Sequence, residues 1–115
     1  MQTESKQALS VLAHLIADQF HSPADNLMFL SANGPTEVSS KTADTDFGHT
    51  IKAMCMIRFT GLLTGERDLV DFAEKNGPQV LARAFQEGEE AWASGVKTGG
   101  VLDLDKSWWI YAELN

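Results

Sequence analysis

Residues 46–64 constrain the fold more than any other segment, because their apolar side chains would point in nearly every direction around a helix. Asp46 offers a cap for the start of this helix, and Gly65 is the type of residue that ends one. A helix that is apolar on every side is typical of the centre of a domain, so the pattern predicts a central helix. Its apolar positions are Ile51, Met54, Cys55, Met56, Ile57, Phe59, Leu62 and Leu63.

Cys55 lies within this apolar run and is the single cysteine of the chain, so an internal disulfide is excluded. We expect its thiol to be buried and inert, as is usual for a cysteine among apolar residues.

The segments before the central helix also carry helical patterns. In residues 3–20 the apolar residues recur at spacings of three and four, which predicts one amphipathic helix. Ser22, Pro23 and Asp25 match a helix start, with a capping serine, a proline at the first helical position and an acid three residues after the serine. A short second helix through residues 26–30 is expected, and a short strand is the alternative.

After the central helix, residues 66–75 and 78–94 each carry an apolar stripe at helical spacing. The triplet Asn76-Gly77-Pro78 between them combines a helix stop with a helix start, because proline is favoured at the first helical position. We therefore predict a fourth and a fifth helix.

The last stretch, residues 101–114, changes to alternating apolar positions, which favours a strand. A short helix is the alternative, and residues 27–31 or 36–40 are the candidate strand partners. Together these patterns predict a mainly α, single domain over residues 1–115, with about five helices and a C-terminal aromatic strand or short helix. The alternative is an α+β fold with a small antiparallel sheet.

The chain is acidic, with 16 Asp and Glu residues against 9 Lys and Arg residues and a formal net charge of −7 at pH 7. Such a charge repels phosphate backbones and anionic membrane surfaces, so direct nucleic-acid or membrane binding is not expected. No apolar run approaches the ~20 residues that span a bilayer. We expect a cytoplasmic protein, and a basic protein partner fits the charge.

No motif for catalysis, a cofactor or a metal stands out in the sequence. The three histidines, His14, His21 and His49, are not spaced as helical metal ligands. Gly61 and Gly65 lack the lysine of a phosphate loop, and no nucleophile-elbow motif occurs. We therefore expect no enzyme activity, cofactor or metal.

Arg58 falls among apolar residues of the central helix, so we expect a buried ion pair or, less readily, an anion site. The other candidate site residues are surface groups for a protein partner. Trp109 and Tyr111 are the aromatic residue types favoured at interfaces, and acidic groups accompany them. The acidic candidates are Glu87, Glu90 and Glu113.

These features predict a small acidic interaction protein, of the inhibitor, immunity or anti-defence type, that binds a basic protein. The alternative is an accessory or structural subunit that forms homo-oligomers, for example a homodimer, through its C-terminal aromatic segment. A small-ligand binder or an enzyme is the least favoured of the three. The polar connection at residues 34–45 is either a plain linker or a recognition loop.

Overall fold

The computed structural model describes residues 2–29, 45–86, 91–97, 101–104 and 113–114. The helices in these ranges are α1 (Thr3–Leu15), α2 (Phe47–Thr64) and α3 (Arg67–Ala84), and a π-helical turn (Ile16–Phe20) extends α1. The strands are β1 (His21–Ser22), β2 (Leu27–Met28), β3 (Thr45–Asp46), β4 (Phe85–Gln86), β5 (Ala91–Trp92), β6 (Gly95–Lys97) and β7 (Val101–Asp103).

All strand pairs in the described ranges are antiparallel. β1 pairs with β2 and β4 with β5, while β3, β6 and β7 form a three-stranded sheet with β6 in the middle. Gly95 of β6 lies opposite Asp46, and a Cβ atom there would collide with the backbone of Thr45 and Asp46. This close approach explains a glycine in the strand. The structure is therefore mostly helical with small antiparallel sheets, and three helices replace the predicted five among the described residues.

α2 confirms the predicted central helix and its ends. Asp46 is the N-cap, and its carboxylate accepts a hydrogen bond from the backbone N–H of His49. Gly65 ends the helix in the left-handed conformation, at φ 75°. α2 packs against both α1 and α3, and Phe47 and Ile57 are among the largest fully buried side chains of the described residues.

α3 corrects the prediction of two helices, because one helix runs through the Asn76-Gly77-Pro78 triplet. Pro78 has no N–H to give to the backbone one turn earlier, which normally disfavours a helix interior. The carbonyl that loses this bond is that of Glu74, four residues before Pro78. Two residues earlier, the Asn76 side chain adds a bond within the same turn by donating to the carbonyl oxygen of Phe72 at 2.8 Å. Packing of the buried residues Val80 and Ala84 in the core holds the second half of the helix in line.

The segment after α1 corrects the predicted second helix and follows the strand alternative. Ser22 begins a turn and not a helix: its carbonyl oxygen accepts a bond from the N–H of Asn26, and its hydroxyl donates to Asp25. Asn26 has a φ of 54°, which reverses the chain so that β2 returns beside β1. The predicted helix start at Ser22 is therefore wrong, and these residues close a hairpin.

The C-terminal strand is confirmed only at its start. β7 covers Val101–Asp103 and pairs with β6. Of the two predicted partners, β2 (Leu27–Met28) pairs with β1 instead, and residues 36–40 lie outside the described residues. The end of the predicted fifth helix is also wrong, because β4 and β5 form a hairpin there. Residues 105–112 lie outside the described residues, whereas Leu114 is buried in the core. Within the described residues no helix is long and apolar enough to cross a membrane.

Candidate functional site

The open side of α2 carries a stripe of exposed apolar side chains. Met56, Phe59 and Leu62 are spaced by three residues and therefore lie on neighbouring turns of one face. Cys55 lies beside them and is exposed, which corrects the prediction of a buried thiol. The apolar pattern around α2 thus exceeds what the core covers.

A second exposed apolar stripe runs along α1, at Val11, Leu12 and Leu15. The two stripes meet at a groove of about 110 Å³ between α1 and α2, whose lining includes Leu12 and Met56. Together they form what we call the apolar face, which consists of Val11, Leu12, Leu15, Met56, Phe59 and Leu62. Exposure within this face ranges from 47% at Leu15 to 67% at Val11.

Acidic residues stand at both ends of the α1 stripe. Glu4 precedes Val11 by seven residues, two helical turns, and Asp18 follows Leu15 by three residues. Both acids are exposed. The apolar face is therefore bounded by negative charge at the two ends of α1.

A polar cluster joins α1 to the start of α3. The Nε2 atom of His14 lies 3.0 Å from Oε1 of Glu66 and 3.8 Å from Oδ2 of Asp68. The three side chains are 36%, 29% and 68% exposed. One atom from each residue lies within 4.8 Å of the others, so the cluster has the composition and compactness of a metal-ligand set.

Hydroxyl groups fix the Glu66 carboxylate in this cluster. Ser10 donates to Oε1 at 2.9 Å, and Thr64 donates to Oε2 at 2.7 Å. The bond from Thr64, followed by those from His14 and Ser10, lowers the pKa of the Glu66 carboxyl. The hydrogen bond to Glu66 and the charge of Asp68 raise the pKa of His14.

Arg58 forms an ion pair, but the pair lies at the surface and is not buried as predicted. Its Nε donates to Oε1 of Glu74 at 3.1 Å, and the two side chains are 49% and 45% exposed. Both residues line a groove of about 260 Å³ between α2 and α3, together with Pro78 and Leu81. Since Glu74 already neutralises Arg58, this groove does not support the anion-site alternative.

A cavity of about 450 Å³ lies near the start of α2, and its lining includes Asp46 and His49. Nδ1 of His49 donates to the Asp46 carboxylate at 2.6 Å. That carboxylate also caps α2, so the pair has a structural role. The lining also includes Phe29 and Thr45, the described residues on either side of 30–44.

Glu113 alone among the predicted partner-binding residues is described. Its carboxylate lies 3.7 Å from Nζ of Lys52 at the open side of α2, and its side chain is 33% exposed. The other four predicted residues lie outside the described residues, and their role stays a prediction. They are Trp109, Tyr111, Glu87 and Glu90.

The sequence patterns identified the residues of the apolar face but assigned them to the core. One signal could have identified them. Apolar residues surround α2 on every side, and this is more apolar surface than its two neighbouring helices, α1 and α3, can cover. The polar cluster had no such signal, because Glu66 and Asp68 lie 52 and 54 residues after His14 in the sequence. Comparison with protein-family models and with curated proteins finds no match for this chain.

Proposed function

We propose that this chain is a small binding protein that holds a protein partner on its apolar face. The observation that carries the proposal is the exposure of six large apolar side chains on two adjacent helices of an acidic protein. Scattered exposed apolar residues are common, whereas a contiguous patch marks an interaction site. The two stripes are joined at Leu12 and Met56, which line one groove.

The free energy from burying the apolar face can be compared with the cost of association. Full burial of one large apolar side chain contributes roughly 1.5–3 kcal/mol, so covering the exposed half of six would contribute roughly 5–10 kcal/mol. Association itself costs roughly 4–15 kcal/mol in lost freedom of motion. Apolar burial therefore only offsets that cost, and polar contacts at the rim have to supply the affinity.

The charges at the two ends of the α1 stripe favour a partner with basic groups around an apolar anchor, and Lys52 at the open side of α2 is already paired with Glu113. Glu4 and Asp18 bound the α1 stripe, and Lys or Arg side chains of a partner would complement them. In a symmetric pair of copies with antiparallel α1 helices, Glu4 of one copy would meet Asp18 of the other. That like-charge contact disfavours self-association through this face. An inhibitor, immunity or anti-defence protein would act in this way on a basic target.

A pair of synthetic helical peptides tests the proposal. Both carry leucines at i, i+4 and i+7, and one is flanked by lysines while the other is flanked by glutamates. We expect the lysine peptide to bind and to shift the NMR signals of Leu12, Leu15, Met56 and Phe59. Phe59→Ser should weaken this binding about tenfold, which is the scale of an interface anchor worth ~1.4 kcal/mol.

Val101→Ser is the matched control, because Val101 is 65% exposed but lies on β7. Equal loss of binding in Phe59→Ser and Val101→Ser would contradict the proposal, as would equal binding of the two peptides. Light scattering on the same samples tests the alternative of a self-associating subunit. A dimer that Phe59→Ser dissociates would replace the partner with a second copy, and one that Trp109→Ala dissociates would support the C-terminal alternative.

A further inference from the structure

We propose that His14, Glu66 and Asp68 form a binding site for a divalent transition-metal ion of the zinc class. This site is separate from the apolar face and does not depend on the function proposed for it. The three residues come from two regions of the chain that the packing of α1 against the α2–α3 connection brings together.

The spacing of the donor atoms fits a single ion. Zinc bonds to histidine nitrogen and carboxylate oxygen are about 2.0–2.2 Å long, which places tetrahedral ligand atoms about 3.4 Å apart. The distances from Nε2 of His14, 3.0 Å to Glu66 and 3.8 Å to Asp68, lie on either side of this value. The three donor atoms all lie within 4.8 Å of one another, and the exposed Asp68 side chain is the one that can move to complete three corners of the tetrahedron.

The types of donor atom define the class of ion. One imidazole nitrogen with two carboxylate oxygens suits zinc and its neighbours, because imidazole binds these ions well whereas magnesium and calcium prefer oxygen alone. Three protein ligands leave the fourth position for water. At this site the ion takes the place of the proton on Nε2 of His14, and that proton leaves to solvent.

The Glu66 carboxylate is already oriented for this role. Glu66 is the N-cap residue of α3, yet its side chain makes no capping bond and extends instead toward α1. The Ser10 hydroxyl donates a hydrogen bond to Oε1 of Glu66, and the Thr64 hydroxyl donates one to Oε2. Such supporting hydrogen bonds orient the ligands of metal sites and raise their affinity.

Titration of the chelator-treated full chain with zinc chloride, followed by calorimetry, tests the proposal. We expect one zinc per chain and a rise of the melting midpoint with added zinc, because the ion binds the folded state. Asp68→Asn and Glu66→Gln should each lower the affinity at least tenfold. Ser10→Ala, which removes only a supporting bond, should lower it by roughly 10- to 100-fold.

His49→Gln is the control, since it removes an exposed histidine beside Asp46 and leaves the cluster intact. Asp68 is 68% exposed, so Asp68→Asn is expected to fold, and circular dichroism would verify this. Zinc affinity that is unchanged in Asp68→Asn, or lowered equally in His49→Gln, would overturn the site. Absence of binding by the folded wild-type chain would also overturn it and leave a hydrogen-bonded cluster. Equal affinity for magnesium and zinc would contradict a role for the imidazole.

Discussion

α2 presents two sides that resemble each other in sequence and differ in what covers them. On the covered side, Met54 and Ile57 are 2% and 1% exposed, and Gly61 lets α2 approach the start of α3 closely. A Cβ on Gly61 would lie 2.8 Å from Val70 Cγ2 and 2.9 Å from the Glu66 carbonyl oxygen. On the open side, Met56 and Phe59 are more than 60% exposed. Residue type therefore does not tell the two sides apart.

The covered side is therefore made by the close approach of α1 and α3, and not by hydrophobicity alone. Where α1 and α3 pack against α2, the apolar residues of α2 are part of the core. Where no helix packs against α2, side chains of the same types stay exposed and can contact a partner. Perturbing each side in turn should separate stability from binding.

The largest effect is expected from the neighbours Ile57 and Met56. Ile57→Ala removes a fully buried side chain, so the free energy of unfolding should fall by about 2–5 kcal/mol. Met56→Ala removes a side chain that is 62% exposed, and the fall should stay below about 1 kcal/mol. Urea unfolding of both variants measures the two values. Comparable losses would mean that the open side is covered in solution.

An intermediate effect is expected from His21, which contacts α3 through Phe72. His21 is buried, stacks edge-on against Phe72 and donates from Nε2 to Asn26. Burial lowers its pKa below the ordinary value of 6.5. The unfolded chain therefore takes up a proton at this residue at a higher pH than the folded chain does. Stability from neutral His21 is present above pH ~6.5 and is lost as the pH falls toward the folded pKa.

Unfolding free energies at several pH values, compared between the wild type and His21→Gln, isolate this contribution. The comparison is needed because His14 has a raised pKa and contributes a slope of opposite sign, with stability lost as the pH rises. We expect the wild type to lose more stability than His21→Gln between pH 7 and pH 5. Parallel curves would show that His21 is accessible to water.

The smallest effect is expected from the surface pair of Arg58 and Glu74. Arg58→Met should change the free energy of unfolding by about 0–1 kcal/mol, because a half-exposed ion pair gains little over solvation. Any change should shrink in high salt. Denaturation at low and high salt measures both. A loss of several kcal/mol would restore the buried pair that the sequence predicts.

Local signals predicted several elements correctly because each depends on neighbouring residues. The α1 stripe, the Asp46 cap and the Gly65 end of α2 all appear where the pattern indicated. Two local signals predicted the wrong structure. The capping pattern at Ser22 closes a hairpin, and the stop at Asn76-Gly77-Pro78 lies inside α3, because contacts made later in the chain outweigh these preferences.

The site residues divide in the same way. The apolar face could be read as a set of residues but not as a surface, since periodicity reports which face is apolar and not what covers it. Arg58 was predicted to form an ion pair, and it does. Whether that pair is buried depends on how much of α2 is covered by α3, which the sequence does not specify. His14, Glu66 and Asp68 could not be grouped at all, because no spacing rule connects positions so far apart.

The acidic charge, the helical stripes and the central place of α2 could all be predicted without a structure, because they follow from composition and periodicity. Tertiary structure alone decided which side of α2 is open, whether residues 76–78 interrupt a helix, and which histidine meets two carboxylates. The physical reason is that burial and long-range contacts depend on distances between segments, and these distances are set only when the whole chain packs.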